Sequence, residues 1–184
     1  FAVDYAAGDY LLFLNNDTEL ISENALEEML GCCMRSEVGA VGAKLLYADD
    51  TIQHAGVVVG ICGYAYHANR AIGSDDYGYM VIARINCNYS AVTAACMMTK
   101  KDLFLQLGGF DEEFAVACND VDYCLRLRAK DKLIVYNAFA EWYHYESKSR
   151  GYEDTEEKKE RFNRELSRFR GKWESIFKTG DPYY

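Results

Sequence analysis

The side chains able to do chemistry fall into three clusters. The first, Asn15-Asn16-Asp17-Thr18-Glu19, follows directly on an apolar run at residues 10–14. In open α/β sheets ligands gather at the carboxyl ends of strands, so polar side chains placed there project into the crevice. A carboxylate beside amides suits a hard divalent cation that also holds substrate phosphates. The commoner use of such a pentapeptide is an Asx turn leading into a helix cap. The second cluster, Asn119-Asp120-Val121-Asp122-Tyr123-Cys124-Leu125-Arg126, comes soon after Gly108-Gly109-Phe110-Asp111-Glu112-Glu113-Phe114. Asp120 falls at the expected start of a helix, where the macrodipole and backbone N–H groups hold a carboxylate, so it fits both a general base and an N-cap. Asp122 and Arg126, four apart, pair across one helical turn under either reading. The third cluster is Trp142-Tyr143-His144-Tyr145-Glu146-Ser147-Lys148-Ser149-Arg150-Gly151. His144 ends an aromatic strand that runs into a basic, hydroxyl-rich loop, a composition suited to a metal ligand beside bound phosphates. The bland alternative is a packed, hydrogen-bonded ring. His54, within an apolar strand, and His67, in a tyrosine-rich loop with no acidic motif beside it, are weaker candidates.

In order and spacing these clusters resemble the family 2 glycosyltransferases of the GT-A fold, especially bacterial members that build cell-surface polysaccharides. The residues that carry the resemblance are YLLFLNNDTE at 10–19, GGFDEEF at 108–114, NDVDYCLRLR at 119–128 and HYESKSRG at 144–151. It covers the chain up to about residue 151, and the following helix and tail also look like this subgroup. The resemblance implies inverting, metal-dependent transfer of a sugar from a nucleotide-diphosphate sugar to a hydroxyl of a saccharide or lipid-linked saccharide acceptor, with Mn²⁺ or Mg²⁺ as cofactor. The family's D-x-D metal element here reads Asn15-Asn16-Asp17. Asp17 takes the metal-ligand role, and Asn15 stands at the donor diphosphate where the family has a first carboxylate. His144 matches the histidine that completes metal coordination, and Asp120 matches the catalytic carboxylate.

The chemistry gives these roles a physical basis. Negative charge accumulates on the departing diphosphate, where a metal and nearby cations stabilise it, and Lys148 and Arg150 are candidates for helping. The acceptor oxygen attacks from the opposite face, so its general base sits across the anomeric centre, where such assistance is worth roughly 10²–10⁴-fold. Gly109, Phe110 and Asp111, with the loop around residues 64–79, are expected to shape the acceptor pocket. Two readings from other classes remain. One is a glycan-binding or scaffolding module that keeps the fold without catalysis, motivated by Asn15. The other is a metal-dependent phosphohydrolase, disfavoured because no second cluster of metal-binding carboxylates is present.

The elements that must position these residues can be read along the chain. Residues 3–7 resemble the last turn of a helix, closed by Gly8. The run at 10–14 reads as a strand buried on both faces of a parallel sheet. Ser22 is an expected N-cap for a helix to about residue 34, with Ala25, Leu26, Met29, Leu30 and Cys33 on one side. Strands at 38–47 and 52–59 about the polar turn 48–51 predict a hairpin, and 62–79 reads as a long loop. A strand is expected near 92–99, helices at 101–107 and 121–129, and strands at 133–136 and 141–145. A last amphipathic helix runs from residue 154 or 155 to about 177, its stripe of Phe162, Leu166, Phe169, Trp173 and Ile176 alternating spacings of four and three. Strand, loop, helix order predicts an α/β fold, and the resemblance specifies a GT-A mixed sheet with flanking helices. Residues 1–151 are expected to form its metal and acceptor part and 152–184 the C-terminal helix and tail. Family members carry nucleotide-binding strands and helices before the D-x-D strand. The chain is therefore expected to be an N-terminally truncated piece, weak or inactive alone and prone to self-association through an uncovered sheet edge.

Composition narrows the classes further. The 184 residues carry 20 positive and 29 negative side chains, net −9, and half are hydrophobic. A disordered tail has too little to bury to match this, and a nucleic-acid or anionic-membrane partner needs clustered Lys and Arg. The longest apolar runs, 10–14 and 56–63, fall well short of the roughly 20 residues that span a bilayer. Seven cysteines, an odd number with no C-x-x-C spacing, point to free thiols in a reducing compartment. The expected location is cytoplasmic, or peripheral at the inner face of the cell membrane in the full-length protein.

Overall fold

The computed structural model describes residues 2–145 and 155–184. Along the chain run α1 (Ala2–Tyr5), β1 (Tyr10–Leu14), β2 (Thr18–Leu20), α2 (Ala25–Cys33), β3 (Val38–Leu46), β4 (Ile52–His54), β5 (Val57–Val59), β6 (Ala65–His67) and β7 (Cys87–Tyr89). Then come β8 (Cys96–Lys100), α3 (Lys101–Gln106), α4 (Asn119–Arg128), β9 (Leu133–His144), α5 (Glu156–Lys172) and α6 (Glu174–Thr179). The main sheet has the order β1-β8-β3-β9-β2, with β4 beside β3 and β7 beside β9. It is mixed: β3 and β9 run parallel and every other pairing is antiparallel.

β3 sits at the centre because all nine of its residues are buried, as a strand covered on both faces requires. Alternate residues face different helices. Val41, Ala43 and Leu45 pack with Ala25, Met29 and Cys33 of α2, while Ala40 joins Phe104, Val121, Leu125 and Phe169 of α3, α4 and α5. Helices therefore cover both faces of the sheet. Six cysteines have described side chains, and none forms a disulfide. Burial pushes the thiols of Cys96 and Cys124 up to about 12, so they stay protonated and pack as small hydrophobes. Among the described residues no helix is long and apolar enough to cross a membrane.

Several expected elements take a different form. β1 pairs antiparallel with β8 and ends the sheet's order instead of lying inside a parallel sheet. The Ser22 hydroxyl accepts the Glu141 N–H at 3.1 Å, so α2 begins later, after Asn24. The expected strand 52–59 divides at Gly56, where φ is +97° and an added Cβ would meet the Tyr89 ring at 2.3 Å. Its second half turns away as β5 and pairs with β6, which lies inside the expected long loop. The two expected strands after α4 are one, β9. The Asn137 side-chain oxygen accepts the N–H groups of Phe139 and Ala140 at 2.9 and 3.2 Å, absorbing a bulge where the register with β3 shifts. The last helix breaks at Trp173 into α5 and α6, and Thr155 caps its start by accepting from Lys158 N.

Candidate functional site

The chain leaves β1 at Asn15, whose N–H donates to Ala95 O at 2.9 Å, and the Thr18 hydroxyl donates back to Asn15 O at 2.8 Å. This turn feeds β2, which pairs antiparallel with the end of β9 so that Thr18 stands opposite His144. Tyr145 N donates to Asp17 O at 2.9 Å and closes the pairing. Segments far apart in the chain thereby meet: His144 Nε2 lies 3.1 Å from Asn15 Nδ2, 129 positions away, and 3.2 Å from Asp17 Oδ1. The other imidazole nitrogen, Nδ1, is 2.6 Å from Gln53 Oε1, and Gln53 Nε2 donates to His144 O at 3.3 Å. An amide oxygen can only accept, so Nδ1 carries a proton, and Nε2 is the nitrogen that faces Asp17 and Asn15.

This donor set fits a divalent cation of the Mg²⁺ or Mn²⁺ kind. One imidazole nitrogen and one carboxylate supply two positions, and such ions complete an octahedron with water and phosphate oxygens. Gln53 occupies the place of the outer partner that orients a ligating histidine. Among the described residues no group of three or more His, Cys, Asp or Glu is placed to hold a metal ion.

A cavity of about 110 Å³ lies against this cluster, lined by Tyr47, Gln53, His67, Arg70, Thr93 and His144. Arg70 Nε donates to the Tyr47 hydroxyl at 2.9 Å and its guanidinium lies over the same ring. His67 Nδ1 stands 2.9 Å from His54 Nδ1, and full burial pushes the His54 imidazole well below its ordinary pKa. Gln53, Arg70 and Thr93 carried no signal in the sequence, because the β3–β4 hairpin, the loop after β6 and the turn before β8 respectively bring them here. His67 enters the cavity wall although its surroundings in sequence favoured nothing.

Asp120 sits in the first turn of α4, after Cys118 at φ +66°. Both its oxygens accept backbone N–H groups, Oδ1 from Val121 at 2.8 Å and Oδ2 from Ala94 at 3.1 Å. Residues 93–95 consequently run between the two clusters: Thr93 lines the cavity with His144, Ala94 N–H donates to Asp120, and Ala95 O accepts from Asn15 N–H. Burial, with the neighbouring Cys118 and Asp120 adding, pushes the Tyr64 phenol above its ordinary pKa.

The three residues expected at the acceptor have structural partners, and none lines the cavity beside His144. Gly109 O accepts from Arg126 Nη2 at 2.7 Å, and the Phe110 ring packs 4.8 to 5.5 Å from Phe13, Phe104 and Tyr123. Asp111 accepts from Lys172 Nζ at 2.7 Å, an ammonium that holds its carboxyl below the usual range. Asp122 and Arg126 pair at 2.8 Å, as their spacing predicts. Lys148 and Arg150 lie outside the described residues.

No family model matches the chain. It is 43% identical over 184 residues to the uncharacterized protein y4gI of Sinorhizobium fredii, an alignment covering all of this chain and 20% of that protein. It is 42% identical over 154 residues to the O-antigen biosynthesis protein RfbC of Myxococcus xanthus, covering 82% of this chain and 12% of that protein. The chain thus spans a fifth or less of the length of the curated relatives it matches.

Proposed function

We propose that the chain is the metal and acceptor part of an inverting glycosyltransferase, moving a sugar from a nucleotide-diphosphate sugar to an acceptor hydroxyl in polysaccharide synthesis. The observation that carries this reading is the meeting of Asn15, Asp17 and His144 over Gln53, with Asp120 held across residues 93–95. The relative named for O-antigen biosynthesis supports a saccharide or lipid-linked saccharide as acceptor.

Asp17 and His144 Nε2 would hold Mn²⁺ or Mg²⁺, and the bound ion supplies positive charge against the departing diphosphate. Asn15 contributes an amide donor where a carboxylate would repel that diphosphate, and Lys148 and Arg150 are its further cationic partners. Asp120 takes the proton of the acceptor hydroxyl as that oxygen attacks the anomeric carbon from the face opposite the diphosphate. Two backbone N–H groups fix the carboxylate while leaving lone pairs for this transfer. Gly109, Phe110 and Asp111 are assigned to the acceptor side, with Arg126 bound to Gly109 and Lys172 to Asp111.

The test uses the full-length protein, a panel of nucleotide sugars and Mn²⁺ or Mg²⁺. Asp120→Asn is expected to lower kcat by about 10² or more, and Asp17→Ala to abolish the metal requirement together with most turnover. Transfer by Asp120→Asn at the parental rate removes Asp120 from the base role. Saturable oligosaccharide binding without metal or turnover favours the binding-module reading instead.

A further inference from the structure

Asp120 lies between two points held by the C-terminal helix. Before it in the chain, Glu165 of α5, only 6% exposed, accepts the N–H groups of Val116 and Ala117 through one oxygen, at 3.3 and 2.6 Å. After it, the fully buried Asp122 accepts from Trp173 Nε1 at 2.9 Å and Lys172 Nζ at 2.8 Å, besides Arg126 Nε at 2.8 Å. Between these anchors the buried ring of Phe169 meets Phe114 at 6.1 Å. Glu165, Phe169, Lys172 and Trp173 recur at helical spacing and form one face of α5 and its end.

The segment entering α4 does little to hold itself. Residues 111–118 belong to no helix or strand, and Cys118 adopts a left-handed backbone unfavourable to a residue with a Cβ. The Glu165 carboxylate supplies the acceptor that two of its N–H groups need. We propose that this face of α5 is a clamp that fixes Asp120 for proton transfer, with Glu165 as its positioning residue. The inference rests on the reading of Asp120 as general base. A base must stand within roughly 2.6–3.2 Å of the proton it takes, and a misplacement of about 1 Å can cost about 10²-fold in rate. A helix far along the chain therefore controls turnover without touching substrate.

The experiment compares Glu165→Leu with Glu165→Gln, which keeps an acceptor oxygen, in the full-length protein. Amide hydrogen exchange reads the clamp whether or not sugar moves, and kcat against donor KM reads its consequence. In Glu165→Leu the amides of Val116 and Ala117 should exchange at least about tenfold faster while those of β3 keep the parental rate. kcat should fall about 10- to 100-fold with donor KM within about twofold, and Glu165→Gln should restore both readouts. Trp173→Phe removes the indole donor to Asp122 while keeping an aromatic ring at the core, and should give the same signature at residues 121–123, which serves if Glu165→Leu does not fold. Unchanged exchange overturns the clamp. So does acceleration spread equally over β3, or a donor KM that rises as kcat falls, since either marks a residue that merely holds the fold. Local exchange that responds in a parental protein unable to transfer sugar supports the clamp and overturns the enzymatic reading alone.

Discussion

At His144 one imidazole nitrogen is engaged by Gln53, 91 positions away, and the other is turned to Asp17 and Asn15. The ring orientation that points the Nδ1 proton at Gln53 and turns Nε2 toward Asp17 is therefore a property of the pair and not of His144 by itself. Gln53→Leu keeps much of the buried volume and removes the acceptor for the Nδ1 proton. It is expected to weaken Mn²⁺ binding by about 10- to 100-fold, measured calorimetrically in the presence of nucleotide diphosphate. An unchanged affinity would show that Gln53 does not tune His144 for a metal. Asn15, Asp17, Asp120 and His144 could be singled out in the sequence because each stands at or beside the end of a regular element. Gln53 and Glu165 could not, because an ordinary strand residue and an ordinary charge on an amphipathic helix gain their partners only through packing between distant segments.

The middle of β3 shows how elements transmit precision to the site. Gly42 stands where an added Cβ would lie 2.4 Å from the Val92 Cβ and 2.7 Å from its Cγ1. Val92 is fully buried and precedes Thr93, the start of the segment that touches both halves of the site. Gly42→Ala must displace a stiff β-branched side chain, so overpacking should destabilise the fold by about 1–3 kcal/mol, read from the denaturant midpoint. Because residues 93–95 shift with it, metal affinity should fall as well, and a variant with unaltered stability and affinity would contradict the close approach. The same scale explains what the sequence concealed. Tyr-Leu-Leu-Phe-Leu marks a strand without marking its direction, since a continuous apolar run suits any strand covered on two faces. Asn-Ala-Phe-Ala at 137–140 interrupts the pattern of β9 as a break would, yet the Asn137 side chain satisfies the backbone and the strand continues. The Gly56 break has the opposite character: a run of apolar residues conceals a position that needs a positive φ. α5 was legible from its stripe alone, and Phe169 is its fully buried centre.

For the whole molecule the decisive feature is β1 at the end of the sheet. Among the described residues it pairs with β8 alone, and Leu14 is 43% exposed. A polypeptide limited to these 184 residues presents a row of backbone donors and acceptors and part of an apolar face there, which invites pairing with a second copy. The net charge of −9 works against that contact. Two copies repel over the Debye length, about 30 Å at about 0.01 M salt and about 10 Å at about 0.1 M. Short-range burial and backbone pairing are not screened in this way, so raising the salt should shift the balance toward association. Sedimentation velocity is expected to show a species heavier than the 20.9 kDa monomer that grows with protein concentration and with salt over this range. Leu14→Lys places a charge on the open edge and should suppress it while leaving the circular dichroism spectrum unchanged. A monomer at every concentration and salt would mean that the open edge does not drive association. Association that Leu14→Lys leaves intact would place the contact elsewhere on the surface.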